Sequence, residues 1–306
     1  MNRAFLRWIM AVAIIVMAIQ SMAFAQGLFA RKEQVIFSGD PIDPDVMRLA
    51  AWGGGWCEES PQNTYGGSRS IKVSPLDLYS GGRIDFVKPM DLTQSFNLSD
   101  AYLQVVSKFT GAQAGYDALT TGMGAIGSTD MYGGVYKARQ VRRLRVMLVF
   151  EGGKSIESQV DLASFRLQDD GWMIVSFPLA YLKSKLDLTD YRLERMVISG
   201  DGSEPFHVGE ISITRDSTPI TPDAGESKEV SRNYPIAFQG FCRAGATAVK
   251  YSWDFNDLNG IQEEAVGDLV YHKFTAPGNW VVTMTASDVF GIKKSAKSTI
   301  KAKVNE

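Results

Sequence analysis

The segment from residue 250 to residue 291 decides how this chain folds. Its pieces, in order, are Tyr251-Ser-Trp-Asp-Phe255, Asn256-Asp-Leu-Asn-Gly260, Tyr271-His-Lys-Phe274, Pro277-Gly278, Trp280-Val-Val-Thr-Met-Thr-Ala-Ser-Asp288 and Gly291. Large apolar side chains alternate with small polar ones in the first and fifth pieces, which is typical of strands with one buried face and one solvated face. The Asn-, Pro- and Gly-containing pieces supply the turns between such strands. The pattern predicts strands that reverse at these turns, with Ser252, Asp254, Thr283 and Thr285 on their solvated face.

These pieces resemble the PKD domain, whose pattern reads Tyr-x-Trp-x-Phe-Gly-Asp-Gly, His-x-Tyr, Pro-Gly-x-Tyr-x-Val-x-Leu, Asp and Gly. The chain departs from that pattern at the turn 256–260 and at Phe274 and Trp280. The resemblance implies an immunoglobulin-like sandwich over residues 226–304, of a kind found in secreted and surface proteins, with an altered turn at 256–260. It also implies that His272 caps or fills this sandwich.

The segment 33–214 also carries a β pattern. The strand-like stretches are 70–73, 82–87, 101–109, 143–150, 155–160, 172–177, 193–198 and 206–213. Short polar, Gly-rich turns separate them, which favours a sandwich or jelly roll over an α/β fold. Helix-like spacing is limited to residues 45–50 and 178–185. The chain is therefore predicted to be all-β.

The order of these strands is similar to the galactose-binding-like jelly roll of many carbohydrate-binding modules. The similarity is carried by the stretches 65–73, 81–86, 92–107, 171–179, 193–200 and 206–213. It implies a two-sheet fold and a sugar as the expected ligand class. Because that fold also hosts domains without sugar affinity, the site has to be argued from its own residues.

Composition divides the chain into four parts. Residues 1–25 combine Arg3 and Arg7, an apolar run and an Ala23-Phe24-Ala25 cleavage pattern, which predicts a signal peptide and an exported protein at the cell surface, in the periplasm or outside the cell. An uncleaved anchor is the alternative. The jelly roll is expected at 33–214, a polar Pro-containing linker at 215–225 and the PKD-like domain at 226–304. The mature chain contains no second apolar run of that length, so no membrane span is predicted in it.

Charge and cysteine content narrow the possible partners. The formal net charge of −2, without clustered Lys or Arg, argues against a nucleic-acid partner. The chain has two cysteines, Cys57 and Cys242, which in an oxidising compartment are candidates for a disulfide. Two separate thiols are the alternative, because sequence carries no information on the Cα separation that a disulfide requires.

Catalytic and metal signals are weak. The chain has two histidines, His207 and His272, and it lacks a Gly-x-Ser-x-Gly elbow, an H-E-x-x-H helix and a Walker loop. It is therefore predicted not to be an enzyme. Asp43, Asp45 and Glu210 are candidate ligands for a structural calcium ion, since carboxylates suit a hard cation. A polar entry loop is the alternative interpretation of Asp43 and Asp45.

The remaining candidates point to ligand binding. Sugars bind on aromatic platforms flanked by polar side chains. The candidates of this type are Trp52, Trp56, Tyr65, Tyr132, Arg143 and Arg145. The two tryptophans are expected in a glycine-flanked loop, with at least one of them in the core. The sequence thus predicts a non-catalytic recognition protein that binds polysaccharide or a surface glycan, with the PKD-like domain as a spacer or protein contact. The alternative is a structural or adhesive surface protein whose partners are other proteins.

Overall fold

The computed structural model describes residues 30–109, 128–129, 135–136 and 138–306. Its strands are β1 (Ala30–Phe37), β2 (Met47–Trp52), β3 (Trp56–Ser60), β4 (Ser70–Ser74), β5 (Gly81–Asp91), β6 (Ala101–Phe109), β7 (Ser128–Thr129), β8 (Val135–Tyr136), β9 (Arg143–Phe150), β10 (Ser155–Asp161), β11 (Met173–Pro178), β12 (Arg192–Gly200), β13 (Phe206–Asp216), β14 (Thr221–Asp223), β15 (Lys228–Ser231), β16 (Ile236–Gln239), β17 (Phe241–Arg243), β18 (Val249–Asp254), β19 (Ala265–Val266), β20 (Leu269–His272), β21 (Gly278–Asp288) and β22 (Ala296–Asn305). The helices are α1 (Thr93–Phe96) and α2 (Leu179–Lys185), with 3₁₀ turns at Glu151–Gly153, Leu162–Ser164 and Asp257–Asn259. The predicted all-β class is confirmed.

Two antiparallel sheets form the N-terminal sandwich. Sheet A has the order β11-β6-β13-β4-β3, with β1 also paired to β13, and sheet B has the order β10-β9-β12-β5-β2. Alternate residues of both sheets point inward and build one large core, which includes Leu103, Leu148, Phe150, Ile198 and Phe206. This core explains the alternating pattern of β9, because Leu144, Val146, Leu148 and Phe150 face it.

The predicted helix at 45–50 is wrong. Residues 47–52 form β2, which pairs with β5 in the register Met47↔Phe86 to Trp52↔Gly81. The backbone hydrogen bonds offered by β5 outweigh the helix-like spacing of the local sequence. The expected Trp52–Trp56 loop is likewise a tight turn at residues 53–55, and both tryptophans lie on strands.

The C-terminal sandwich has a five-stranded sheet, β15-β22-β21-β18-β19, and the two-stranded pairs β14-β17 and β16-β20. Trp253, Phe255, Val282 and Met284 fill its core with Phe238. The prediction that Asp254 and Thr283 are solvated is wrong, because both are buried. Asp254 accepts hydrogen bonds from the N–H groups of Asn256, at 2.7 Å, and Gln262, at 2.5 Å, and thereby holds the following turn against the strand.

The predicted linker at 215–225 is packed, contrary to the expectation that it is too polar to pack. It contains β14, which pairs with β17, and Asp216, Thr218, Ile220 and Ala224 are buried. The polar groups are buried without large cost because they are hydrogen-bonded, as in the bond from the Thr218 hydroxyl to the Asp216 carboxylate at 2.6 Å.

The two sandwiches contact each other through side chains of both. Phe290 lies against Tyr181 and Phe177, with ring centroids 4.9 and 6.2 Å apart. The Tyr102 hydroxyl lies 3.5 Å from the hydroxyl of Thr247, and burial raises the pKa of Tyr102 to about 12. Within the described residues, no helix has the length and apolarity needed to cross a membrane.

Candidate functional site

The two candidate tryptophans lie on different sheets. Trp52 is on β2 of sheet B and is partly buried. Trp56 is on the edge strand β3 of sheet A and is 55% exposed, while its neighbour Cys57 points into the core. A single platform made from both rings is therefore not formed. The expectation that at least one of them lies in the core is wrong, because Trp52 is only partly buried, on the outer side of sheet B, and Trp56 is exposed.

Trp52 shares a cross-strand row with candidate Arg145. The register places Gln159, Arg145, Ser199, Gly81 and Trp52 side by side across all five strands of sheet B. Adjacent strands lie about 4.8 Å apart, so Trp52 and Arg145 are separated by roughly 14 Å. Residues of this parity point away from the core, and the row therefore crosses the outer face of the sheet.

An apolar cluster lies next to this row. Met147, Val149 and Val197 are buried although they point outward, and Trp52 packs against them. Gly81, on the strand between β2 and β12, has no side chain, so it leaves room for the indole to reach this cluster. We call this outer side of sheet B the arginine face. It consists of Trp52, Tyr79, Arg83, Asp85, Arg143, Arg145, Met147, Val149, Gln159, Arg195, Val197 and Ser199.

Tyr79 is one of the residues of this face that the sequence did not predict. It is 64% exposed, and the guanidinium of Arg145 lies 4.9 Å from the centre of its ring. The turn that carries it is held by a hydrogen bond from its N–H to Asp77, at 2.8 Å, and by one from the Ser199 hydroxyl to the carbonyl of Leu78, at 2.6 Å. An aromatic residue in a polar turn directly before Gly81-Gly82 is the signal that could have found it.

Arg145 is unusually buried for an arginine, with 6% exposure. Its Nη2 donates to Glu157, whereas Nε and Nη1 are buried without a hydrogen-bond partner among the described residues. Leaving a buried donor unsatisfied costs about 1–3 kcal/mol. Arg195, on the same face, also has a buried Nε without such a partner. The face thus holds guanidinium groups with unused hydrogen-bonding capacity.

Arg143 lies at the end of the face, where β9 begins. Its Nε donates to Asp201 at 3.2 Å, and the other carboxylate oxygen accepts the N–H groups of Arg142, at 2.8 Å, and Arg143, at 2.9 Å. Burial acts to raise the pKa of Asp201, but these hydrogen bonds outweigh it and lower the pKa. Next to this pair an open hollow of about 820 Å³ is bounded by Tyr79 and Gln159.

The other candidate aromatics do not join this face. Tyr65 packs on Trp172, with ring centroids 5.2 Å apart, and the pKa of Tyr65 is raised, chiefly by burial and also by the charge of Glu210 on sheet A. Trp172 is itself buried. Tyr132 lies outside the described residues, as does the predicted signal peptide 1–25.

The structure does place a serine beside His207, which is the minimum for nucleophilic catalysis. The Ser70 hydroxyl lies 3.0 Å from Nδ1 of His207 and 2.6 Å from the carbonyl of Gln62. Both side chains are buried, and the pKa of His207 is lowered, mainly by burial and further by Lys72 and Lys108. A fully buried serine cannot reach a substrate, so this pair is structural.

The candidate calcium ligands have other partners. Asp43 accepts the N–H of Asp45 at 2.9 Å, and Glu210 accepts from Lys32 at 2.6 Å and from Ser212 at 2.9 Å. Within the described ranges, no three His, Cys, Asp or Glu side chains are grouped so that they could hold a metal ion. A structural calcium ion stays a prediction.

The candidate disulfide is not present. Cys57 and Cys242 are both free thiols. Cys57 lies in the core of the N-terminal sandwich, whereas Cys242 packs beside a small cluster with Ile220 and Val249 in the C-terminal one. Burial raises the pKa of both thiols.

The C-terminal core shows the role of the second histidine. His272 stacks on Phe255, with ring centroids 3.9 Å apart, and contacts the edge of Phe274 at 4.6 Å. The pKa of His272 is lowered, and burial is the main cause. The altered turn at 256–260 contains a 3₁₀ turn, which Asn256 caps by accepting the N–H of Leu258. His272 therefore packs on the edge of the aromatic core, where Phe255 also contacts Phe238 and Trp253.

Residues 216–304 match the family model of the PKD domain. The resemblance found in the sequence is thereby confirmed, and the match begins ten residues before the expected boundary at 226, at the buried Asp216. A comparison with curated proteins gave no match.

Three solved structures are similar at low identity. The PKD domain (329–428) from human KIAA0319 is 14% identical over 29% of this chain and 82% of its own, with a TM-score of 0.24. A family 30 carbohydrate-binding module is 12% identical over 61% of this chain and 86% of its own, with a TM-score of 0.34. The adhesin domain of Epf from Streptococcus pyogenes is 9% identical over 82% of this chain and 80% of its own, with a TM-score of 0.24.

Proposed function

We propose that this chain is an exported, non-catalytic recognition protein whose N-terminal sandwich binds a carbohydrate through the arginine face. The observation that carries the proposal is the placement of an exposed aromatic ring, Tyr79, directly over the guanidinium of Arg145, with Trp52 in the same cross-strand row. A sugar ring presents an apolar C–H face and a rim of hydroxyl groups. Tyr79 and Trp52 suit the first, and Arg143 and Gln159 suit the second.

The surrounding structure supports this use of the face. Tyr79 is fixed by the hydrogen bonds of its turn, and Arg145 by its pairing with Glu157. A binding surface that is already ordered loses little conformational entropy when the ligand arrives. In this proposal the PKD domain serves as a spacer that contacts the binding module directly.

Retention on polysaccharides tests the proposal. Residues 26–306 would be applied to a panel of soluble and insoluble polysaccharides beside Trp52→Ala and Tyr79→Ala. We expect each substitution to reduce retention by about two- to tenfold, since stacking on one aromatic ring contributes about 0.5–1.5 kcal/mol. Circular dichroism would confirm that both variants remain folded.

Trp56→Ala is the matched control. It removes an equally large and more exposed indole from sheet A, so we expect its retention to equal that of the wild type. If Trp56→Ala loses retention while Trp52→Ala and Tyr79→Ala keep it, the site lies on the other sheet. If the wild type is retained on no polysaccharide, carbohydrate binding itself is contradicted.

A structural or adhesive role is the second candidate. It is favoured by large exposed side chains on the PKD domain, among them Tyr234 and Tyr271, each 70% exposed. Exposed aromatic residues are enriched where proteins contact one another. The double substitution Tyr234→Ser/Tyr271→Ser should then abolish binding of the full chain to the surface of the producing cells, whereas Trp52→Ala should leave it unchanged.

A further inference from the structure

The hollow at the end of the arginine face has an excess of positive charge. It measures about 820 Å³ and is formed by four separate parts of the chain: the turn 77–79, residues 139–143, Gln159 and Asp201. It adjoins the row described above, because Gln159 is the cross-strand partner of Arg145 and Tyr79 lies over that arginine. A ligand lying along the face would therefore extend into this hollow.

The carboxylates in the hollow are already engaged. Asp77 accepts the N–H of Tyr79, and Asp201 accepts two backbone N–H groups and the Nε of Arg143. Arg143 is thus neutralised. The guanidinium groups of Arg139 and Arg142 form no ion pair within the part of the chain that the structure describes. Three arginines and two carboxylates line the hollow, which leaves a net charge of +1 beside Tyr79.

Arg145 lies under Tyr79, at the edge of the hollow. It is more than nine-tenths buried, and two of its nitrogen atoms have no hydrogen-bond partner among the described residues. Native structures rarely leave buried donors without an acceptor. The planar fork of a guanidinium matches the two oxygen atoms of a carboxylate, which can accept two parallel hydrogen bonds.

We infer that the ligand of this site is an acidic polysaccharide, and that Arg139 and Arg142 bind the carboxylate groups of its uronate units while Tyr79 stacks on the sugar ring. This inference rests on the proposed function, because it names the class of carbohydrate that the arginine face would take. Neutral polysaccharides lack the negative group that these two guanidinium groups are placed to meet.

Affinity electrophoresis and calorimetry on the full chain test the inference. The probes are polygalacturonate and alginate, with neutral galactan and xylan for comparison. We expect the uronate polymers to bind at least about tenfold more tightly at low salt, with affinity falling as salt screens the charges. Arg142→Gln should weaken uronate binding by about tenfold, the loss expected for one charge-assisted hydrogen bond, and leave neutral polymers unaffected.

Two variants sharpen the test. Arg142→Lys keeps the charge and removes the planar fork, so we expect it to lose most of the affinity that Arg142→Gln loses. Arg232→Gln removes an exposed arginine of the PKD domain with the same change in net charge, and it should bind uronates like the wild type. Full retention of uronate affinity in Arg142→Lys would contradict recognition by the guanidinium fork.

The possible outcomes separate this inference from the proposed function. If neutral polymers bind as tightly as uronates and binding depends on Trp52 and Tyr79, the acidic ligand is wrong and the proposed function stands. If a sulfated polymer such as dextran sulfate binds at least as tightly as polygalacturonate, the assignment to carboxylates is overturned. If no polymer of either kind binds, both proposals fail together.

Discussion

Asp216 is a fully buried carboxylate at the junction of the two domains. It accepts hydrogen bonds from the Lys293 ammonium at 2.8 Å, the Ala246 N–H at 2.7 Å, and the N–H and hydroxyl of Thr218 at 3.0 and 2.6 Å. Lys293 also donates to the carbonyls of Thr218 and Ala244. Every strong partner of this charge therefore belongs to the segment that begins the PKD domain or to the PKD domain itself.

Removing the lysine of this pair should destabilise the protein. Lys293→Met leaves the Asp216 charge buried without its cation, which typically costs about 3–5 kcal/mol. Lys294→Met is the control, since Lys294 is exposed and the same change there should cost less than about 0.5 kcal/mol. Urea unfolding followed by tryptophan fluorescence measures both, and equal midpoints for the two variants would contradict the structural role of the pair.

Because of the same carboxylate, we expect the free energy of unfolding to depend on pH. Burial acts to raise the pKa of Asp216, but the hydrogen bonds from Lys293, Thr218 and Ala246 outweigh it and lower the pKa. A carboxyl whose folded-state pKa is lowered stabilises the fold above its unfolded value, about 3.9, and loses this effect as pH falls through the folded-state pKa. The stability gap between wild type and Asp216→Asn should therefore be constant at pH 5–7 and shrink below about pH 3.9. A gap that widens on acidification would refute this assignment.

At the scale of elements, the strands with clear alternation were predictable and those stabilised by their partners were not. The observed strands β6 and β9 have the predicted bounds, because their inward residues are apolar with the exception of Ser107. Strands β2 and β3 were not predicted, since β2 carries small or polar residues at several positions and owes its conformation to pairing with β5. Tertiary hydrogen bonding cannot be read from a local pattern.

The candidate site was predictable to a similar extent. Trp52, Arg143 and Arg145 were selected by residue type, and the structure places all three on the arginine face. Trp56 and Tyr65 have the same chemistry but lie elsewhere. A shift of one residue along a strand moves a side chain to the opposite face of the sheet, and a local pattern does not say which sheet a strand joins. Tyr79 was missed since its importance depends on Arg145, which lies 66 positions further along the chain.

Strand β5 supports the arginine face by close packing against β3. A Cβ atom at Gly82 would lie 2.6 Å from the Cβ of Cys57 and 2.8 Å from its Sγ. We expect Gly82→Ala to cost about 1–3 kcal/mol, because the core must shift to accept the methyl group. Gly54→Ala is the control, since its nearest neighbour is the flexible end of Leu76 at 3.1 Å. Thermal unfolding compares them, and an unchanged midpoint in Gly82→Ala would contradict the close approach of the two strands.

At the scale of the whole molecule, the two sandwiches share apolar contacts as well as the Asp216 network. Phe290 from the PKD domain packs against the core of the N-terminal sandwich, and Ala248 is part of that core. Contacts of this kind couple the unfolding of two domains, since neither buries its surface fully without the other. The chain is therefore expected to unfold in one cooperative transition.

Phe290→Ser should separate that transition into two. The substitution removes the ring that contacts Tyr181 and Phe177, so each sandwich should then unfold at its own temperature. Differential scanning calorimetry measures the number of transitions. The neighbouring Val289, which is exposed, provides the control Val289→Ser, for which one transition is expected. Two transitions in the wild type, or one in Phe290→Ser, would show that the domains are not coupled in this way.

The parallel pairing of β15 with β22 has a mechanical consequence. These strands lie near the two ends of the PKD domain, and residues 228–231 lie in register with residues 302–305. Tension applied between residue 224 and residue 306 pulls the two strands past each other, so all the hydrogen bonds between them are loaded in shear at the same moment. In an antiparallel terminal pair, the same tension would instead break the hydrogen bonds one after another from one end. A domain built in this way is suited to resist tension along the chain.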